Sequence, residues 1–231
     1  MPTEAEVLDA LSGVRDPELD EPITDLKFVA DLQVGEDAVN VRLRLPTYFC
    51  APNFAYLMVA DARAAVLSLP GVREARVVLD DHHASREING GVNEERGFEG
   101  TFPGDTAGED LSELRAIFRR KSFVARQEKL CRALLAKGHT PAELAEMRLE
   151  EVQLSGAFEK KYIERRAELG LDVSAEAPLV VDPDGKRVPK EAVVEHLRFA
   201  RTVRVSIEGN ASFCRGLLAT RYSTPKEEVK L

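Results

Sequence analysis

The spacing of apolar residues changes period several times within the first eighty positions. Residues 3–13 place Val7, Leu8 and Leu11 on one helical stripe, with Thr3 to cap it and Gly13 to stop it. Residues 16–25 hold two prolines and five carboxylates, which predicts an extended or turning segment. A strand is predicted over 26–34 and a hairpin turn at Gly35-Glu36-Asp37. Residues 39–45 then alternate strictly: Val39, Val41, Leu43 and Leu45 on one face, Asn40, Arg42 and Arg44 on the other. Helical spacing returns over 52–69, where Met58, Ala62, Ala65, Val66 and Leu69 mark a buried face and Pro70-Gly71 a stop. A third strand is predicted over 72–80.

That order predicts an α+β fold, a two-layer helix-strand-strand-helix-strand domain with a three-stranded mixed sheet. The hairpin makes the first two strands antiparallel, and the helical crossover makes the second and third parallel. The start of strand one and the ends of strands two and three must then share one edge of the sheet. Residues 16–25, 47–50 and 80–83 are expected to converge there.

Residues 84–108 contain six of the chain's 15 glycines, the pattern of a linker or a flap over that edge. From residue 109 the pattern is mainly helical, with Leu111, Leu114, Phe118, Leu130, Leu134 and Leu135 at helical intervals. Thr140-Pro141-Ala142-Glu143 is a capping box that starts a helix to about 152, and another helix is expected over 158–169. Short strands are expected at 178–181 and, by alternation, at 202–208, with a helix from Pro189 to Arg201 between them. Residues 211–222 fit a helix or a returning strand, and 224–231 a frayed tail. The expected division is 1–83, a linker or flap at 84–108, and a mainly helical domain with a few short strands at 109–231.

Charge sharpens this picture. Residues 1–83 hold seven basic and fifteen acidic side chains, while the remainder holds twenty-five of each. The first part therefore carries the whole net charge of −8, which argues against a grip on a nucleic-acid backbone. Residues 115–137 hold eight basic side chains and one acidic one, a surface suited to acidic neighbours. No apolar run approaches the roughly 18 residues of a membrane span, and the acidic start is unlike a signal peptide. These features predict a cytoplasmic protein, in which Cys50, Cys131 and Cys214 are thiols rather than a disulfide framework.

The chain lacks CxxC, HExxH, Walker, GxSxG and GxGxxG motifs, so the chemistry has to be sought elsewhere. Cys50 stands where a strand meets a helix N-terminus, a place that favours an anion. A cysteine there serves as a nucleophile or a ligand for metal and sulfide, unless it is simply a small buried residue at a tight turn. His82 and His83 end the third strand; strand geometry would point them to opposite faces, so that at most one joins Cys50. Cys131 falls on an apolar helical stripe and is expected in the core. Cys214 repeats the Phe-Cys pair of Phe49-Cys50 and is a candidate to share its site.

Residues 5–81 resemble the metal–sulfur cluster biosynthetic family, the small domain of SufT- and PaaD-like iron–sulfur assembly proteins. The match lies in Val7-Leu8-Asp9-Ala10-Leu11, Val14-Arg15-Asp16-Pro17-Glu18-Leu19, Ile23-Thr24-Asp25-Leu26, the strand at 39–45, Thr47 three residues before Cys50, and Leu69-Pro70-Gly71-Val72. The family has Cys-Pro where Ala51 here separates Cys50 from Pro52. The resemblance implies assembly or delivery of an iron–sulfur cluster or iron, with Cys50 as the reactive thiol and Asp16, Glu18, Thr24, Asp25 and Thr47 shaping the edge around it. Metal contacts are expected from Cys50, His82, His83 and Cys214. The implied partners are a client metalloenzyme, recognised by the second domain, and other assembly proteins. By analogy with PaaD, a bacterial oxygenase system is one setting. A maturation factor is expected rather than an enzyme with turnover, and the oligomeric state is open, a homodimer included. The rival reading is a metal-free adaptor with a structural Cys50; a thiol enzyme would lack a base other than His82 or His83.

Overall fold

The computed structural model describes residues 2–104, 111–152 and 156–222. Two compact units divide the chain: residues 1–113 with 210–231, and residues 114–209.

In the first unit, α1 (Glu4–Ser12) opens on a complete capping box between Thr3 and Glu6 and buries Val7 and Leu11. Strands β1 (Val29–Val34) and β2 (Ala38–Arg44) form the expected antiparallel hairpin, closed where the Gly35 N–H donates to the Ala38 carbonyl. α2 (Pro52–Leu67) crosses over to β3 (Glu74–Asp80), which pairs parallel with β2 from Ala38↔Glu74 to Arg44↔Asp80. The sheet order is β1-β2-β3, the predicted α+β topology. Val39, Val41, Leu43, Ala75, Val77 and Leu79 face the core, whereas Asn40, Arg42 and Arg76 face water. β1 starts three residues later than the pattern suggests, because residues 23–27 form turns and Lys27 takes a left-handed backbone (φ 60°).

The glycine-rich stretch is not the linker or flap expected of it. Residues 85–101 form α3 (Ser85–Asn93) and α4 (Gly97–Thr101). The Asn89 side-chain amide donates to the Leu79 carbonyl and its oxygen accepts from the Leu79 N–H, and Asn93 repeats this at Val77. Two side-chain amides thus cover the exposed edge of β3 as a fourth strand would. Gly91 lets the two helices touch, since a Cβ there would collide with the Thr101 side chain. The glycines serve close packing, a role composition does not distinguish from flexibility.

The second unit contains most of α5 (Leu111–Ala136), then α6 (Pro141–Glu146), a 3-10 turn at Leu149–Glu151, α7 (Ala157–Glu168) and the start of α8 (Val193–Tyr222). The Thr140–Glu143 capping box forms as expected, though its helix ends at Glu146. The candidate strand at 178–181 makes only isolated bridges, Arg148↔Pro178 and Val181↔Arg187. The predicted strand at 202–208 is helical, inside the unbroken 30-residue α8. There Ala200, Arg204, Ile207, Ala211 and Leu218 are buried at steps of three, four or seven. That helical stripe overrides the local alternation, because burial along it outweighs the β preference of a few valines. The open question at 211–222 is answered the same way, as helix. The expected tail at 224–231 lies outside the described residues.

The core of the second unit carries a polar network. Gln127 donates to the Tyr162 hydroxyl and the Val181 carbonyl and pairs with His196 at 2.7 Å. Tyr162 donates to the Leu179 carbonyl, and Arg166 to the Tyr162 hydroxyl and the Pro178 carbonyl. The basic run of α5 is partly consumed within the same unit: Arg120 pairs with Asp184, Arg126 with Glu164 and Lys129 with Glu208. No helix of the described residues is long and apolar enough to cross a membrane.

Candidate functional site

The predicted convergence at one sheet edge is present in the first unit. Its first segment, residues 15–22, is a closed loop: Arg15 and Pro22 form a bridge, and the Asp16 N–H donates to the Glu21 carbonyl. The Asp16 carboxylate is turned inward, 8% exposed, and accepts from the N–H groups of Glu18 and Leu19, each at 2.9 Å. Burial raises its pKa to about 6; those two hydrogen bonds work the other way, and Glu18 and Glu21 add to the rise. Glu18 and Glu21 are part-exposed at the loop's surface.

The second segment leaves β2 through buried Leu45 and Pro46. Thr47 Oγ1 accepts from the Phe49 N–H at 3.2 Å and lies 3.3 Å from the Cys50 sulfur. The hydroxyl is thus placed to donate to that sulfur once the thiol has given up its proton. Ala51 caps α2 with no side-chain hydrogen bond, Pro52 occupies its first turn, and the Asn53 side-chain oxygen accepts from the Phe54 N–H at 2.9 Å. Cys50 is half-buried and unbridged.

The third segment fixes the second. β3 ends at Asp80, and Asp81 adopts a left-handed backbone (φ 53°), a conformation that aspartate tolerates better than most residues. The turn cancels the strand alternation expected to separate the two histidines: their ring centroids are 4.5 Å apart. Buried His82 accepts the Ala84 N–H on Nδ1 and meets the Cys50 carbonyl through Nε2 at 2.7 Å. A carbonyl only accepts, so Nε2 carries the proton and the ring is neutral. Burial lowers the His82 pKa; the Cys50 carbonyl opposes this, and His83 and Arg221 add to it. Both nitrogens of His82 are therefore committed, and the expected metal contact gives way to an anchoring one. His83 donates twice to the Tyr48 carbonyl, from its N–H and from Nδ1, each at 3.0 Å. Two adjacent residues thereby pin the loop that carries Cys50.

Two predicted residues lie elsewhere. Thr24 lines a cleft with Glu4, Leu8, Lys27 and the β1 residues Val29 to Leu32, and its buried hydroxyl has no partner there. Asp25 is exposed on the turn before β1.

The last turns of α8, which belong to this unit, supply residues the sequence reading missed. Asn210 donates to Glu18 at 3.3 Å, and Arg215 pairs with Glu21. Arg221 donates to the Leu45 carbonyl at 3.2 Å and the Asp81 carbonyl at 2.7 Å, and pairs with the Asp81 carboxylate at 2.6 Å. Tyr222 donates to Asp81, with the Arg44 guanidinium 4.5 Å from its ring centre. The available signal was the helical interval joining Ala211, Cys214, Leu218 and Arg221, which is visible only once the segment is read as helix. Burial pushes the Cys214 thiol up to about 11, with the charges of Asp16, Cys50 and Glu18 adding and Arg215 opposing. Tyr48, Phe49 and Phe213 are exposed large apolar residues, Phe49 by 76%. Among the described residues, no three His, Cys, Asp or Glu side chains are arranged to hold a metal ion.

The arrangement joins a firmly held thiol to acidic loops and exposed aromatic rings. The family model described as iron-sulfur cluster assembly protein matches residues 4–77, the part of the chain that builds α1 and all three strands up to Val77. An uncharacterized protein of Methanocaldococcus jannaschii is 35% identical over 91 residues, covering 38% of this chain and 93% of that protein. On these two matches, the chain belongs to the iron–sulfur cluster assembly protein family.

Proposed function

We propose that this protein is a maturation factor that passes iron or an iron–sulfur cluster to a client metalloenzyme, with Cys50 as the thiol that contacts the cargo. The observation that carries this reading is the separation of duties at the Cys50 loop. Its backbone carbonyls are held by His82 and His83, while its sulfur, among the described residues, has the Thr47 hydroxyl as its hydrogen-bond partner. A thiol held in place but left half-exposed suits a cargo that must arrive and leave. Soft thiolate sulfur is the protein ligand that iron–sulfur chemistry uses. The cargo is substrate here, and its transfer needs coordination positions that an acceptor can enter. Free thiols fit a reducing compartment such as the cytosol. The second unit is the part assigned to client recognition, and other assembly proteins would load the site; a bacterial oxygenase system is one setting for the client.

Anaerobic reconstitution with iron and sulfide, followed by absorption spectra and iron analysis, tests the proposal. Wild type is expected to take up iron with sulfur-to-iron absorption bands, and Cys50→Ala to lose most of both. No iron in either protein, together with full client activation by Cys50→Ala, would sink it. That result would favour the second reading, a metal-free adaptor with a structural Cys50. The exposed rings of Phe49 and Phe213 are the feature that speaks for it.

A further inference from the structure

We propose that Cys214, carried by the last turns of α8, is the second thiolate of the Cys50 site, so that iron is gripped between two sulfurs. The inference rests on Cys50 being the cargo thiol and adds a ligand from outside the residues that the family model matches. Geometry carries it. Asn210, four residues before Cys214, and Arg215, one after, reach Glu18 and Glu21 in the first converging segment. Arg221, seven residues on, reaches Leu45 and Asp81 in the second and third. The helix thus runs along all three segments, with Cys214 between its points of attachment.

The orientation of Cys214 follows from the helical stripe. Ala211 is 0% exposed and Leu218 5% exposed, three residues before and four after Cys214. Side chains at such intervals share a face, so half-buried Cys214 is turned toward the unit while its neighbour Phe213 is turned outward at 67% exposure. There it faces the edge formed by the three segments, which carries Cys50, with Arg215, the next residue, paired to Glu21. A soft divalent cation bound by the two sulfurs displaces one proton from each. Two thiolates also leave positions open on a four-coordinate metal, the condition for handing it to an acceptor.

Two measurements on the full chain test this. Dibromobimane becomes fluorescent when it bridges two nearby thiols. Wild type is expected to bridge, and Cys50→Ser and Cys214→Ser each to abolish it, with no metal involved. Anaerobic titration with Co(II) then reads ligation through the sulfur-to-metal charge-transfer band. Cys214→Ser is expected to halve the band and weaken binding by about tenfold or more, and the double variant to remove the band. Absence of bridging in folded wild type overturns the juxtaposition. A Co(II) band unchanged in Cys214→Ser but lost in Cys50→Ser overturns the two-thiolate site and leaves the Cys50 reading intact. Bridging without any Co(II) band in wild type overturns both.

Discussion

Cys50 and Cys131 are the same residue in one chain, placed in two regions built on opposite plans. Cys131 lies in the second unit's core, fully buried among Phe123, Leu130, Leu134 and Tyr162, and burial pushes its thiol up to about 12. The polar groups around it bond to one another: Gln127, Tyr162, Arg166 and His196 tie helices to the 178–181 backbone. At the first unit's sheet edge, polar groups are spent on the backbone of the Cys50 loop and the sulfur is left half-exposed. The contrast teaches where chemistry can reside. A network whose side chains bond to one another and to backbone in the core gives rigidity, and one that holds a loop while sparing a thiol leaves that thiol accessible.

The comparison can be broken from either side. The largest effect is expected at the core: Tyr162→Ala removes a buried ring and the hydroxyl shared by Gln127, Arg166 and the Leu179 carbonyl, at a cost of about 3–5 kcal/mol. Urea unfolding would measure that loss, and the rate of Cys50 alkylation below the transition should stay within a factor of about two if the edge is independently built.

Asp16 comes next, with the opposite sign. Its folded pKa of about 6 lies above the ordinary aspartate value of 3.8, so the folded protein binds the proton more tightly than the unfolded chain does. Ionisation therefore costs stability as pH rises from about 4 through 6, and the cost is complete above that range. Asp16→Asn keeps an oxygen for the Glu18 and Leu19 N–H groups and should stabilise the protein by up to about 3 kcal/mol at pH 7.5. The gain should vanish near pH 4, and a gain independent of pH would show that desolvation of the charge is not its origin.

The smallest effect is expected at the anchor. His82→Ala removes hydrogen bonds to the Cys50 carbonyl and the Ala84 N–H, costing about 1–2 kcal/mol, and should speed Cys50 alkylation severalfold while Cys131 stays protected. Because the His82 pKa is lowered below 6.5, its contribution is present above that pH and is lost as pH falls below it. As pH falls through the lowered folded pKa, wild type should approach the variant's behaviour, as hydrogen exchange over residues 47–50 in a descending pH series would report. Equal protection from about pH 7.5 down to the acid limit of the folded state would remove His82 from this role.

Much of the first unit was legible along the chain. Alternation at Val39 to Leu43 and the Gly35 turn identified the hairpin, and the helix before Glu74 made the next strand parallel. Those inferences succeed because a strand with one buried face is written locally, at period two. The glycine-rich stretch and residues 202–208 were misleading for a shared reason. Gly91 is small because Thr101 packs against it, and Val203 and Val205 are helical because the flanking buried positions lie on one α8 stripe. Neither fact is contained in its own few residues. At the site, the convergence of Asp16, Cys50 and His82 followed from topology, whereas the left-handed turn at Asp81 decided which way the histidines faced.

The sequence by itself determined the order of elements from α1 to β3 and the meeting of Asp16, Cys50 and His82 at one edge of the sheet. Periodicity, turn residues and strand direction are local or topological properties, and they act through the backbone. Tertiary structure alone decided that His82 is an anchor with no free nitrogen and that Asp16 is buried. It also decided that the end of α8, more than 120 residues beyond the third strand, lies against that edge. These outcomes depend on which distant groups exclude water from one another, and burial of that kind is set by the whole fold.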